Sequence, residues 1–211
     1  MLRFAAAFAL LSLLVAPAAA QAVRPSSTVD VAALMMPGEL EEMALGDPGA
    51  PVTVVEYASM TCPHCARFHA QTYPELKAKY VDTGKVYFVL REFPLDALAF
   101  AAIMLARCSG DQFFPVVDTL FDHQAEWAFV QDPPAAIETL LGPFGMGPQE
   151  IEACLGNDAL FEGISWVVNR GSETFQINGT PTFFFNGRRV VGELTLDQVD
   201  RILTPLLSPP G

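Results

Sequence analysis

Cys62-Pro63-His64-Cys65 follows closely on a run of β-branched residues, and that juxtaposition constrains the fold more than any other feature. Val52, Val54 and Val55, bounded by Gly49 and Pro51, predict a buried strand. From Pro63 to about Tyr80 the spacing turns helical, with Phe68 and Leu76 on the buried face and a kink expected at Pro74. Gly84 breaks that helix, and KVYFVLREF predicts a second strand. Strand, cysteine pair, helix and strand make a βαβ unit with its thiols at the helix start.

The segment from Leu95 to about Phe175 reads as four or five short helices, broken at Gly110, at Asp132-Pro133-Pro134 and between Gly142 and Pro148. Asp132 and Gly147 stand where N-caps belong, each before a proline suited to a first helical position. Strand patterning returns in TPTFFFNGRRVVG, two apolar runs joined by the hairpin signal Asn186-Gly187. Thr195 and Gln198 form a capping box for a last helix reaching about Leu207. The chain is therefore expected to be α/β. Its βαβ and ββα halves occupy 50–95 and 176–208, with an inserted helical subdomain at 96–175.

Arg3 precedes an apolar run from Phe4 to Ala16, followed by Pro17 and Ala18-Ala19-Ala20, the pattern of a cleaved signal peptide over 1–20. The run is shorter than the ~20 residues a membrane span requires. Export to an oxidising compartment is the expectation. Residues 21–49 are interrupted by Pro25, Pro37 and Pro48 and read as a strap lying on the domain through Val31, Leu34, Met35 and Met36. The alternative is a partner-binding arm. A formal net charge of −12 argues against nucleic acid or an acidic membrane surface as partner.

Three chemistries compete for the cysteine pair. Zinc needs four ligands, usually from two close pairs, and Cys108 and Cys154 are too far apart in sequence to form the second. A structural disulfide across so small a ring would constrain little of the unfolded chain. Redox exchange accounts for the position. Unpaired N–H groups at a helix start favour an anion, so Cys62 is the exposed attacking thiolate and Cys65, a turn inward, the resolving thiol. His64 between them is expected to donate a hydrogen bond or positive charge to the Cys62 sulfur. A stabilised thiolate favours the reduced form, which makes the disulfide form an oxidant.

EYASMTCPHC, REFPL and GTPTFFFNG together resemble the DsbA family of periplasmic thiol:disulfide oxidoreductases, a thioredoxin fold carrying a helical insertion. APVTVVEYASMTCPHC, with an extra cysteine pair in the insertion, looks like the alphaproteobacterial branch. A lowered cysteine pKa is a known property of this family. The resemblance implies that Thr180-Pro181 is a cis-proline loop facing the cysteines, with Thr180 backbone groups open to a substrate strand. It implies that Glu56 is the buried acid beneath the pair, exchanging a proton with Cys65. It also implies a structural disulfide between Cys108 and Cys154, since free exported thiols are a liability. No metal and no cofactor beyond the Cys62/Cys65 disulfide is expected.

The expected clients are reduced or unfolded exported proteins, the reoxidant a quinone-linked membrane partner of the DsbB type, the compartment the periplasm and the state a monomer. A disulfide isomerase or reductase of the same fold is the nearest alternative. A holdase or metal-handling module, whose thiols only bind, is the alternative of another class. His69 and His123 read as surface or satisfied core residues, Trp127 and Trp166 as packing, and Phe183 to Phe185 as strand core. Met60, Thr61 and Arg67 flank the site.

Overall fold

A computed structural model describes residues 25–208; the expected signal peptide lies outside them. Six strands form one sheet: β1 (Ser27–Thr28), β2 (Met43–Leu45), β3 (Val52–Ala58), β4 (Val86–Glu92), β5 (Thr182–Phe185) and β6 (Arg188–Val191). Their order is β1-β6-β5-β3-β4-β2. β3 and β4 run parallel, joined by a helical crossover, and every other pairing is antiparallel. Asn186 and Gly187 both adopt positive φ, 45° and 78°, as a two-residue turn between β5 and β6 requires.

Successive side chains of a strand face opposite sides of the sheet, and both faces are buried. Val54, Ala58, Phe183 and Phe185 join the larger apolar cluster, together with Cys65 and Phe68 of the helix that follows the cysteines. Val55, Tyr57 and Phe184 join the smaller cluster on the other face. Glu56 lies between Val54 and Val55 on one side and Tyr57 and Ala58 on the other. By this alternation its carboxylate points to the Cys65 face.

After the one-turn α1 (Val31–Leu34), the helix that follows β3 is broken into α2 (Pro63–Gln71), α3 (Tyr73–Leu76) and a π turn at Lys77–Val81. The break falls at Thr72 (φ −118°) and not at Pro74, the expected position. A proline disturbs the turn that precedes it, so Pro74 serves as an early residue of α3. The Thr72 hydroxyl, freed at the break, donates to the Leu194 carbonyl at 2.8 Å.

Six α-helices, more than the four or five expected, make up the insertion: α4 (Ala97–Cys108), α5 (Phe113–Asp122), α6 (Gln124–Trp127), α7 (Pro133–Leu141), α8 (Pro148–Leu155) and α9 (Asp158–Glu173). Asp132 caps α7 by accepting from the Ala135 amide, and Gly147 is the N-cap of α8. α10 (Leu196–Leu207) starts with the Thr195/Gln198 capping box. Cys108 at the end of α4 and Cys154 in α8 are disulfide-bonded.

Of the segment 21–49, expected to form only a strap, the described residues from 25 on extend the sheet as well. Ser27–Thr28 pairs along β6 and Met43–Leu45 along β4, so this one segment supplies both edge strands. Leu34 enters the smaller cluster, whereas Met36 stays 48 % exposed. Three arginines hold the crossing by its carbonyls: Arg170 at Ala33, Arg91 at Leu34 and Arg107 at Glu41. Arg91 also makes a two-point ion pair with Glu42. Gly163 lets the strap approach α9, because a Cβ there would meet Leu40 at 2.5 Å. Short strands and prolines hide such pairing from a periodicity reading.

The Cys108–Cys154 bond closes a loop of sequence separation 46. In the chain-entropy account such a loop stabilises the fold by about 4 kcal/mol. The Cys108→Ala/Cys154→Ala double variant is expected to lose that amount in urea unfolding while leaving the exchange chemistry of Cys62 intact.

Candidate active site

Cys62 occupies the N-cap of α2, with Pro63 at the first helical position, where its missing N–H costs nothing. Cys62 and Cys65 are unbonded. The expectation that Cys62 is exposed needs correction: it is only 5 % exposed, and Cys65 is fully buried. The loop before β5 covers the sulfur. Thr180-Pro181 is a cis peptide there, and the Cys62 sulfur lies 3.2 Å from the Thr180 carbonyl oxygen, to which it donates when protonated.

The two thiols are driven apart in acidity. A hydrogen bond from the Cys65 thiol lowers Cys62 most, against burial, which raises it. The Thr180 side chain and the backbone amides of Cys65 and His64 lower it further, holding Cys62 at about 5. Cys65 is pushed well above its ordinary value by burial, by its hydrogen bond to Cys62 and by the nearby charges of Glu56 and Cys62. At neutral pH the outer sulfur is a thiolate and the inner one a thiol, the asymmetry that directional exchange requires.

His64 does not do what the sequence reading expected of its side chain. The imidazole is turned outward, 61 % exposed, with Nδ1 3.1 Å from Glu193 Oε2 and 2.6 Å from an Arg67 guanidinium nitrogen. Arg67 pairs with the same carboxylate. His64 acts on Cys62 through its backbone amide alone. Glu193, in the loop after β6, was not singled out from the sequence, and its negative charge captures both basic side chains.

Glu56 is fully buried, and its Oε2 lies 3.1 Å from Nε2 of His69. His69, read from the sequence as surface or core, is the core case, with its side chain 2 % exposed. The helical spacing held a clue: His69 stands four residues after Cys65, on the same side of α2. Gln124 of α6 was missed entirely. Its buried amide donates to the carbonyls of Met60 at 2.7 Å and Cys62 at 3.1 Å, so the insertion holds the backbone that carries the outer cysteine. Thr61 is tied likewise, donating to Asp96, the N-cap of α4, at 2.6 Å. Met60 is buried, and His123 pairs with Glu126 at the surface. Among the described residues no group of three or more His, Cys, Asp or Glu side chains is placed to hold a metal ion.

A dithiol at the start of the helix that follows a central strand of such a sheet, opposite a cis-proline loop, defines a thioredoxin-fold redox site. The thioredoxin family model matches residues 39–204. A Rickettsia conorii protein named as a protein-disulfide oxidoreductase is 36 % identical over 169 residues, covering 79 % of this chain and 61 % of the relative. The chain thus spans about three fifths of the length of that relative. The crystal structure of Wolbachia pipientis alpha-DsbA1 superimposes with a TM-score of 0.76 at 26 % identity, over 82 % of this chain and 94 % of that one. BdbD from Bacillus subtilis shares the fold, with a TM-score of 0.68 at 19 % identity over 89 % of this chain and 99 % of that one. The chain belongs to the thioredoxin family, on its DsbA-like branch.

The depressed Cys62 pKa carries a stability consequence with a definite sign. Its contribution to the reduced fold is complete above the unfolded thiol value of ~8.5 and is lost as pH falls through about 5. Thiolate absorbance of the reduced protein is expected to titrate near 5. Cys65→Ala is expected to raise that midpoint more than His64→Ala does. The excess stability of reduced over oxidised protein is expected to shrink on acidification from neutral pH.

Proposed function

We propose that this chain is an exported dithiol oxidase, which places disulfides in reduced or unfolded client proteins. The observation that carries the reading is the split between the two thiols, Cys62 held at about 5 and Cys65 pushed up behind it. A client thiolate attacks the Cys62 sulfur of the oxidised pair, and the Cys62–Cys65 bond breaks. Cys65 leaves with the electron pair and takes a proton. The second client thiolate then attacks the client sulfur of the mixed disulfide and displaces Cys62. Cys62 is a good leaving group because it is stable as a thiolate.

Glu56 serves in this reading as the base and acid of Cys65, and Pro63 and His64 shape the helix start. Thr180 and Pro181 offer backbone to a client strand beside the sulfur. The only cofactor required is the Cys62/Cys65 disulfide. Export to the periplasm is supported by the leader pattern around Arg3 and by the Cys108–Cys154 bond, which suits an oxidising compartment. A quinone-linked membrane protein of the DsbB type is the proposed reoxidant, and the chain works as a monomer. The thioredoxin-like domain is assigned to 50–95 and 176–208, the helical subdomain to 96–175, and the signal peptide to 1–20.

Oxidation of a reduced two-thiol peptide tests this reading. The oxidised protein is expected to yield the peptide disulfide stoichiometrically. Offered the same peptide in its disulfide form, reduced Cys65→Ala protein is expected to accumulate Cys62-linked mixed disulfides that dissolve on adding dithiothreitol. A Cys65→Ala variant that supports normal turnover and traps nothing contradicts exchange through this pair.

A further inference from the structure

Below the dithiol, on the side away from the Thr180 loop, lies a buried chain of polar atoms that packing alone does not explain. Glu56 Oε2 meets His69 Nε2 at 3.1 Å, and His69 Nδ1 lies 3.8 Å from Asp118 Oδ1. The side chains of Glu56 and His69 are 0 % and 2 % exposed, while that of Asp118 is 48 % exposed. The pair therefore connects the protein interior to water. The two outer atoms of the pair, Glu56 Oε1 and His69 Nδ1, are buried and have no hydrogen-bond partner among the described residues. Nδ1 lies on the Asp118 side, and the Glu56 charge is near enough to Cys65 to raise its thiol. Leaving such atoms unpaired costs free energy unless they exchange protons or bind water in use.

The imidazole cannot turn over to trade its nitrogens. It is stacked on Phe121 at 4.3 Å between ring centres and packed on Tyr73 at 4.7 Å. Nδ1 looks towards a cavity of about 380 Å³ whose lining includes Tyr73, Lys77, Asp82, Asp118 and Asp122. These are the charged and titratable groups that α3, the π turn and α5 present to the ring; β3 presents Glu56, and α2 itself carries Cys65. Burial works to lower the pKa of the His69 cation, but Glu56 and Asp118 outweigh it and bring it to about 9.

We infer that His69 is the proton outlet of the dithiol, coupling Cys65 through Glu56 to Asp118 and the water of that cavity. This rests on the proposed proton exchange between Glu56 and Cys65. When Cys65 resolves a mixed disulfide, its S–H proton goes to Glu56 Oε1 and its electron pair forms the Cys62–Cys65 bond. The Cys62–partner bond breaks, and the partner leaves as a thiolate with that bond's electron pair. With Glu56 neutral, the His69 cation has lost its counter-charge, and its Nδ1 proton passes to water beside Asp118. Nε2–H donates to Oε2 throughout. When the disulfide is next reduced, Oε1 returns its proton to the Cys65 thiolate and Nδ1 takes one back from the cavity. One proton enters at one end and one leaves at the other, without crossing the surface that a client covers. Asp118 positions and receives; Glu56 touches the reacting group.

Reduced protein mixed with 5,5′-dithiobis(2-nitrobenzoate) releases one coloured thiolate when Cys62 attacks and a second when Cys65 resolves, so the inner step is read separately. His69→Gln keeps an amide that can donate to Glu56 but cannot ionise. It is expected to slow the second release at least about tenfold, within the range of general acid–base catalysis, and to leave the first release unchanged. Its second rate is expected to climb steadily between about pH 6 and about pH 9, where the parent's stays nearly flat, because external base must replace the outlet. Asp118→Asn, at a half-exposed position that does not threaten folding, is expected to slow the same step about two- to fivefold, the worth of a partly exposed ion pair. Normal second rates and parent pH profiles in both variants overturn the inference. Glu56→Gln separates the two readings. If it slows the second release while His69→Gln does not, only the outlet fails. If Glu56→Gln itself has no effect, the proton exchange with Cys65 fails and the outlet with it.

Discussion

The anion held at the start of α2 is the interaction on which the rest of the site depends. A thiolate at the N-cap receives the Cys65 thiol and the amides of the first turn, which no helical carbonyl can satisfy. In the proposed exchange, its stability decides which sulfur attacks and which leaves. It also fixes which one needs a proton, because the same burial and charge that accompany the Cys62 anion push Cys65 up. The site is thus two thiols in one turn of helix, separated in acidity by which end of the turn each occupies.

Much of the remaining structure holds that turn in place. β3 delivers the chain to it and, by its two-residue alternation, sets Glu56 on the same face as Cys65. The insertion grips the loop from above through Gln124 and Asp96, and the hairpin β5–β6 brings Thr180 over the sulfur at one end and Glu193 onto Arg67 at the other. The helical insertion is therefore part of the active-site support, not an appendage. Its own disulfide fastens α4 to α8 well away from the exchanging pair.

The sequence made the fold class legible because its strong signals are local: the β-branched run at Val52, the Asn186-Gly187 turn and the Thr195/Gln198 box each act within a few residues. The edge strands at Ser27 and Met43 were not legible, since each is two or three residues long and depends on the partner strand for its conformation. In the site, the cysteines were recognisable from their spacing, and the cis-proline loop from the resemblance to the DsbA family. Two side-chain roles were not. His64 was assigned to Cys62 by adjacency, but Glu193, 129 residues away, wins its imidazole. The setting of His69 emerged only when β3 and α5 brought Glu56 and Asp118 to its two ring nitrogens.

The central claim is that this dithiol favours its reduced form and so oxidises its clients. The reduction potential of the Cys62/Cys65 pair, from equilibration with reduced and oxidised glutathione, tests it most directly. The account predicts a value more positive than about −180 mV, on the oxidising side of the disulfide isomerases. A value near about −270 mV, in the range of a reducing thioredoxin, would contradict it.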